Sequence, residues 1–209
     1  MSEKNIIIVG AGGMGREVCN WIEASREEMV ISGFIDDNLA ALDGFSYPYS
    51  IISNISDHIV DPLNYYVLAI MNPAAKKKIV QKIKLANGQF LTFIHPTAII
   101  GRNVEIGKGV VITPGCILSC DINVGDFVFL NTQTTLGHDV EVGAYTSING
   151  KVEISGFVKI GKSVTIGSRV VILPKKKIAS GATIGAGSVV VGNVNQEITV
   201  FGNPAKKIG

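Results

Sequence analysis

From Ile100 to Val190 an aliphatic residue recurs at every sixth position: Ile100, Ile106, Ile112, Leu118, Val124, Leu130, Leu136, Val142, and so on without a break. A second small or branched residue stands two places before most of them, as at Val104, Val110, Cys116, Ile122, Val128, Val140 and Val152. An offset of two puts both side chains on one side of a strand. Gly or Asn follows the aliphatic position at 101, 107, 125, 131, 137, 143, 149, 161, 167 and 185, residue types that tolerate the backbone of a tight corner. Each hexad is therefore a short strand plus a corner, too small to bury its own apolar face. The pattern predicts a solenoid of about five coils whose neighbouring strands stack roughly 4.8 Å apart.

The first 95 residues carry a different pattern. Apolar, strand-like runs at Asn5 to Val9, Ile31 to Ile35, Tyr65 to Ile70 and Phe90 to Ile94 alternate with two helical stretches. One stretch runs from about Gly13 to Met29 with Val18, Trp21 and Ile22 at helical spacing; the other opens at Asn72-Pro73, a cap followed by a first-turn proline. This order suggests a small α/β unit with a parallel sheet. His95-Pro96-Thr97-Ala98 marks the junction, giving an α/β domain over 1–95 and a solenoid over 96–209.

Composition narrows the function. The 209 residues have a formal net charge of +2 and 46% hydrophobic content, and no basic helix interleaved with aromatics suggests nucleic acid. Lys76-Lys77-Lys78 reads as a solvated helix face. No run is long enough for a signal peptide or a membrane span, so a cytoplasmic protein is expected. Cys19, Cys116 and Cys120 form neither a CxxC pair nor an even framework, and Cys116 falls at an inward hexad position.

Gly10-Ala11-Gly12-Gly13-Met14-Gly15 lies between the first strand and the first helix, the context in which backbone amides face an anion. Asp36 and Asp37, at the end of the second strand, are placed to accept hydrogen bonds from a ribose or a base edge. Only one mononucleotide half fits before His95, so a mononucleotide, such as that of a sugar nucleotide, matches better than NAD. The alternative is that the glycines make only a tight turn and the aspartates cap a loop. His138 sits two places after Leu136, at an outward position, and is followed by Asp139. An imidazole with a neighbouring carboxylate suits a general base; the other reading is a surface histidine at a corner.

Together these features resemble the bacterial sugar acetyltransferases that join a nucleotide-binding α/β domain to a left-handed β-helix: nucleotide 4-amino-sugar N-acetyltransferases and their sialic acid O-acetyltransferase relatives. The most specific part is Leu130-Asn131-Thr132 followed by His138-Asp139. The resemblance implies a half-Rossmann domain followed by a left-handed parallel β-helix of hexapeptide repeats, with three hexads per coil. Residues eighteen apart then stack, which sets Gly156 above His138 with its amide open to an oxyanion. By the same resemblance His138 is the general base, Asp139 enhances its basicity, and Asn131 neighbours the acceptor amine. Gly12, Gly13, Met14, Gly15, Asp36, Asp37, Ile70 and Met71 would hold the nucleotide sugar, and Ser147, Gly156, Ser168 and Ala186 the acetyl-CoA. Met14 stands where some members carry His, and Ser147 where some relatives have a second His.

The implied activity is metal-free acetyl transfer from acetyl-CoA to the 4-amino group of a nucleotide-linked 4-amino-4,6-dideoxy sugar, by a homotrimer. O-acetylation of sialic acid or a related sugar is the nearest alternative. A β-helix carbonic anhydrase needs three metal-binding histidines, yet His58 and His95 precede the hexads and only His138 lies among them. A non-enzymatic scaffold would show itself by failing to bind acetyl-CoA.

Overall fold

A computed structural model describes residues 4–25 and 29–208. The chain forms two compact units, Met1–Thr92 and Phe93–Gly209.

The first unit is a five-stranded parallel sheet. Its elements are β1 (Lys4–Val9), α1 (Gly13–Ala24), β2 (Met29–Ile35), β3 (Ile51–Ser53), β4 (Tyr65–Leu68), α2 (Pro73–Leu85) and β5 (Gln89–Phe90), with strand order β3-β2-β1-β4-β5. Ile6, Ile7, Ile8 and Val9 of the central strand are all buried, which is why that strand reads as a continuous apolar run and not as an alternation. The chain builds outward from β1 to one side and then returns to build the other from β4. The order therefore reverses between β1 and β4, the switch point where open α/β sheets bind ligands beyond their strand ends. Asn72 caps α2, its Oδ1 accepting from the Ala75 amide at 3.0 Å, and Pro73 occupies the first turn, as the sequence predicts.

Three element boundaries differ from expectation. α1 ends at Ala24 and not near Met29, closed by the Ser25 amide donating to Trp21 and Ile22; Met29 already belongs to β2. The Phe90–Ile94 run is two strands: Gln89–Phe90 pairs with β4, while Phe93–Ile94 pairs with Val111–Ile112 in the solenoid. The three-residue β3 is too short to show as a period.

The second unit is a parallel β-helix with three faces, built from two-residue strands in an eighteen-residue register, as in Phe129↔Ser147 and Leu130↔Ile148. The first face begins at Phe93–Ile94, the second is six-stranded from Ile99–Ile100 to Val189–Val190, and the third is five-stranded from Glu105–Ile106 to Lys177–Ile178. The second face thus counts six coils against the five expected. The interior is the apolar set the hexads predict, including Val110, Ile112, Cys116, Leu118, Ile148, Ile166 and Ile184, all at most 1% exposed. His95 donates its amide to Ile112 and lies in the first coil, not before the solenoid.

The corners differ from the sequence reading. The left-handed backbone lies three residues after each inward aliphatic position, at Asn103, Asp121, Phe127, Gln133, Asp139, Tyr145, Lys151, Phe157 and their equivalents, with φ between 55° and 64°. These corner residues donate their amides to the coil before: Asp121 to Arg102, Asp139 to Cys120, Phe157 to His138, Lys175 to Gly156. These bonds offset the roughly 1–2 kcal/mol that left-handed backbone costs an L-residue. The glycines after the aliphatic positions serve close approach instead. A Cβ on Gly101 would lie 1.4 Å from the Ser119 carbonyl oxygen.

Candidate active site

At the switch point of the first unit, the Gly10 amide donates to Ile35 and the Ala69 amide to Val9. A Cβ on Gly10 would lie 2.8 Å from Ile70 Cδ1, so Ile70 closes directly on the glycine loop. Gly12 and Gly13 have open space where a side chain would stand, whereas a Cβ on Gly15 would overlap the Gly10 carbonyl. The loop thus joins helix to strand at Gly15 and leaves the start of α1 uncovered at Gly12 and Gly13. The first amide–carbonyl bond of α1 runs from Arg16 to Gly12, and amides of a first helical turn favour an anion.

Both aspartates also do structural work. Asp36 Oδ2 accepts from the Ala11 amide at 2.7 Å and Oδ1 from Asn38, while Asp37 Oδ1 accepts from the amides of Ile55 and Ser56. The aspartates thus cap loops, as in the alternative reading, and among the described residues no hydrogen bond to Asp37 Oδ2 is seen. The sequence reading missed Arg16, whose guanidinium stacks on Phe45 at 3.5 Å beside the loop and adds positive charge there. Its one signal was a basic residue in the first turn of a helix that follows a glycine loop.

In the second unit, three sets of corners separate the faces. The corner between the second and third faces carries 119–122, 137–140, 155–158 and 173–176. His138 stands there, half exposed, its Nδ1 2.8 Å from Asp139 Oδ2. Gly156 stacks one coil above: a Cβ on it would meet His138 Cε1 and Nε2 at 2.6 Å. The Gly156 amide donates to no group among the described residues. Phe157 packs edge-on against the imidazole with centroids 4.9 Å apart, and Lys175 Nζ lies over the Phe157 ring, 6.0 Å from its centroid.

Asp121, one coil below Asp139, was also missed, although subtracting eighteen from 139 points to it. Its carboxyl is held below the ordinary carboxylate range, first by the Asn103 amide donating at 2.8 Å, then by the Cys120 thiol, with the charge of His138 adding to both. Asp121, Asp139 and Phe157 border an open groove of about 780 Å³ along the third face, where Glu141 accepts from Lys159 at 2.6 Å.

Not all the expected residues meet. Asn131, Ser168 and Ala186 lie on the corner between the first and second faces, separated from His138 by the strand Thr135–Leu136. Asn131 Oδ1 there accepts from its neighbour Thr132 at 2.7 Å. Ser147 lies on the first face and is completely buried, its hydroxyl without a partner among the described residues. Of the remaining histidines, His58 bonds Tyr66 and His95 bonds Thr97; burial lowers the pKa of each, and for His58 the Lys82 charge adds to it. Among the described residues no three His, Cys, Asp or Glu side chains are grouped to hold a metal ion. No helix among them is long and apolar enough to cross a membrane.

Residues 5–83 match the family model of the PglD N-terminal domain. The match lies within the first unit. A curated relative, the UDP-N-acetylbacillosamine N-acetyltransferase of Bacillus subtilis (strain 168), is 30% identical over 113 residues, covering 52% of this chain and 51% of its own. The chain thus spans about half the length of that relative. The acetyltransferase domain of PglB from Neisseria gonorrhoeae FA1090 superposes with a TM-score of 0.90 at 26% identity, covering 98% of this chain and 100% of that one. The same domain solved with acetyl coenzyme A gives 0.88 at 25%, over 99% and 100%. The expected α/β domain followed by a left-handed β-helix, and the resemblance to nucleotide 4-amino-sugar N-acetyltransferases, are borne out.

Proposed function

We propose that the protein transfers acetyl from acetyl-CoA to the 4-amino group of a nucleotide-linked 4-amino-4,6-dideoxy sugar. The observation that carries this is the stacking of His138 under Gly156, which sets a base beside an uncommitted amide. With the proton on Nδ1, the imidazole donates to Asp139 and presents the Nε2 lone pair. The amine attacks the thioester carbon as Nε2 takes its proton, and the Gly156 N–H receives the developing oxyanion. The C–S bond then breaks, and the imidazolium returns the proton to the departing CoA sulfur. Asp139 keeps the ring oriented and balances its charge. The relatives support this reading, one by its name as an N-acetyltransferase and one by its complex with acetyl coenzyme A.

The glycine loop suits the phosphates of the sugar nucleotide, received by amides at the start of α1 and by Arg16. Ile70, Met71, Asp36 and Asp37 would border the nucleoside. A domain with one mononucleotide half has no place for the second half of NAD. On this reading the reaction would be cytoplasmic, where acetyl-CoA and sugar nucleotides would both be at hand.

The split between corners supports a homotrimer. The second face is bounded by the Asn131 corner on one side and the His138 corner on the other, and its outward residues include Ile99, 61% exposed, and Ile117, 41% exposed. Threefold closure on that face buries them and sets the His138 corner of one chain beside the Asn131, Ser168 and Ala186 corner of the next. Acetyl-CoA would then lie between chains. The decisive experiment incubates the protein with acetyl-CoA and a panel of 4-amino and 4-hydroxy sugar nucleotides and of free sialic acid, and follows CoA release. Release with the amino sugars is expected; release with sialic acid alone would favour O-acetylation.

A further inference from the structure

We propose that Phe45 positions Arg16 to grip the phosphates of the sugar nucleotide, which makes the segment between β2 and β3 part of that site. The inference rests on the reading of the glycine loop as the phosphate site and names the residue that sets its arginine in place. The Arg16 guanidinium carbon lies 3.5 Å from the centre of the Phe45 ring. Its Nη2 is the side-chain atom nearest the position a Cβ on Gly13 would take, at 3.9 Å. The guanidinium is therefore held against an aromatic face with one end beside the start of α1, which Gly12 and Gly13 leave uncovered.

What matters in this contact is what it leaves free. A guanidinium stacked on a ring uses its flat face, so its N–H donors, which lie in its plane, stay open to an acceptor. Among the described residues the Arg16 side chain makes no hydrogen bond or ion pair. A carboxylate in place of Phe45 would orient the arginine too, but it would occupy donors and cancel the charge. The aromatic ring does neither, and it reduces the freedom that a long side chain gives up when an anion binds.

Phe45 is in turn held from both ends of its segment. Asp36 ties the start to the glycine loop, Oδ2 accepting from the Ala11 amide at 2.7 Å and Oδ1 from the Asn38 amide at 2.8 Å. Successive turns follow, in which the Ala41 amide donates to Asn38, Asp43 to Ala40 and Phe45 to Leu42. Beyond Phe45, Tyr47 packs edge-on against Phe34 of β2 with centroids 6.4 Å apart, and the Ser50 carbonyl accepts from the Phe34 amide. The ring of Phe45 is itself 51% exposed and contributes little to the core, so a role at the site accounts for its place.

The test measures binding of UDP, dTDP and GDP to the full chain by calorimetry and carries the tightest of them through a double-mutant cycle, so the readout needs no acetyl transfer. Arg16→Ala should weaken that nucleotide about ten- to a hundredfold, the worth of a charge-assisted contact to phosphate. Phe45→Leu should weaken it about three- to tenfold, the worth of a partly exposed cation–π contact that orients the arginine. Phe45→Tyr should keep the affinity of the unmodified protein within about twofold. In the Arg16→Ala background Phe45→Leu should change the affinity by less than about twofold, because the ring then has nothing to hold. Unchanged binding in either single variant overturns the inference. So does an equal loss from Phe45→Leu in both backgrounds, which would mark a ring that touches the nucleotide itself or only shapes its segment. Failure of all three nucleotides to bind removes the phosphate-site reading, and the inference with it. The expected cycle in a protein that acetylates no amino sugar nucleotide upholds the role of Phe45 and overturns only the acetyl-transfer reading.

Discussion

The imidazole of His138 occupies the space a side chain on Gly156 would need: a methyl group there would lie 2.6 Å from both Cε1 and Nε2. Gly156 has an ordinary backbone conformation, and the colliding atoms end an exposed side chain that can swing away. Gly156→Ala should therefore leave the unfolding temperature within about 2 °C and lower turnover about a hundredfold, because the base leaves its place. Stability and rate measured on one preparation check this; unchanged turnover would break the link between the two residues.

His138→Ala should lower turnover about a hundred- to ten-thousandfold while acetyl-CoA binding persists. The side chain is half exposed and contributes nothing to the aliphatic interior, so the fold should be kept. Asp139→Asn should cost less, about tenfold, since the ring loses a charged partner but keeps a polar one. Asp139 is in the left-handed region with φ of 59°, which Asn accepts. Near-normal turnover in His138→Ala would eliminate the mechanism.

The protein should scatter light as three chains of 22.2 kDa. Ile117→Lys, which sets a charge on the exposed apolar part of the second face, should shift the mass to one chain and abolish turnover, because the Asn131 corner is then lost from the site. A single-chain mass for the unmodified protein, together with full activity, would contradict the arrangement.

Two glycines should respond differently to alanine. A methyl on Gly101 meets the Ser119 carbonyl at 1.4 Å, whereas Gly187, with φ of 71°, has nothing within 4 Å. Gly101→Ala should cost about 3 kcal/mol or more by forcing coils apart, and Gly187→Ala about 1 kcal/mol for its left-handed backbone. Chemical denaturation of the two variants gives the comparison, and the reverse order would refute the close-approach account.

Lys76 is 1% exposed, and burial lowers its pKa from 10.5 to about 7. The folded state then binds fewer protons at this group than the unfolded state between pH 7 and 10.5, so stability should rise with pH in that window. Cys19 opposes this above about pH 9. Burial, together with the nearby Glu23 charge, pushes its thiol from 9.0 up to about 12, so the folded state keeps a proton that the unfolded state loses. Urea unfolding should therefore strengthen from pH 7 to 9 and then level off, and Lys76→Met should flatten the rise.

Much of this was legible in the chain. The hexad period gave the interior, from Val110 to Val190, because a strand of two inward-facing residues is a local property repeated until it cannot be mistaken. Asn72-Pro73 announced α2 and the glycine loop announced the start of α1, because caps and tight turns depend on adjacent residues. The first coil was less visible, since Phe93–Ile94 differs from a strand of the α/β sheet only in its partner.

By itself, then, the sequence determined that this protein is an α/β domain joined to a β-helix, with a histidine-carboxylate pair facing outward from the coils. Tertiary structure alone decided what meets what. Asn131 and His138 are seven residues apart yet stand on different corners, because one face of the helix passes between them. His138, Gly156 and Asp121 are each eighteen residues from a stacked neighbour or its row, yet share one corner, because hydrogen bonds between coils close over that interval. The left-handed corners also stayed hidden. Phe127, Tyr145, Lys151 and Arg169 hold them with side chains that carry no turn signal, since the strain is compensated by an amide bond to the preceding coil and not by any local preference.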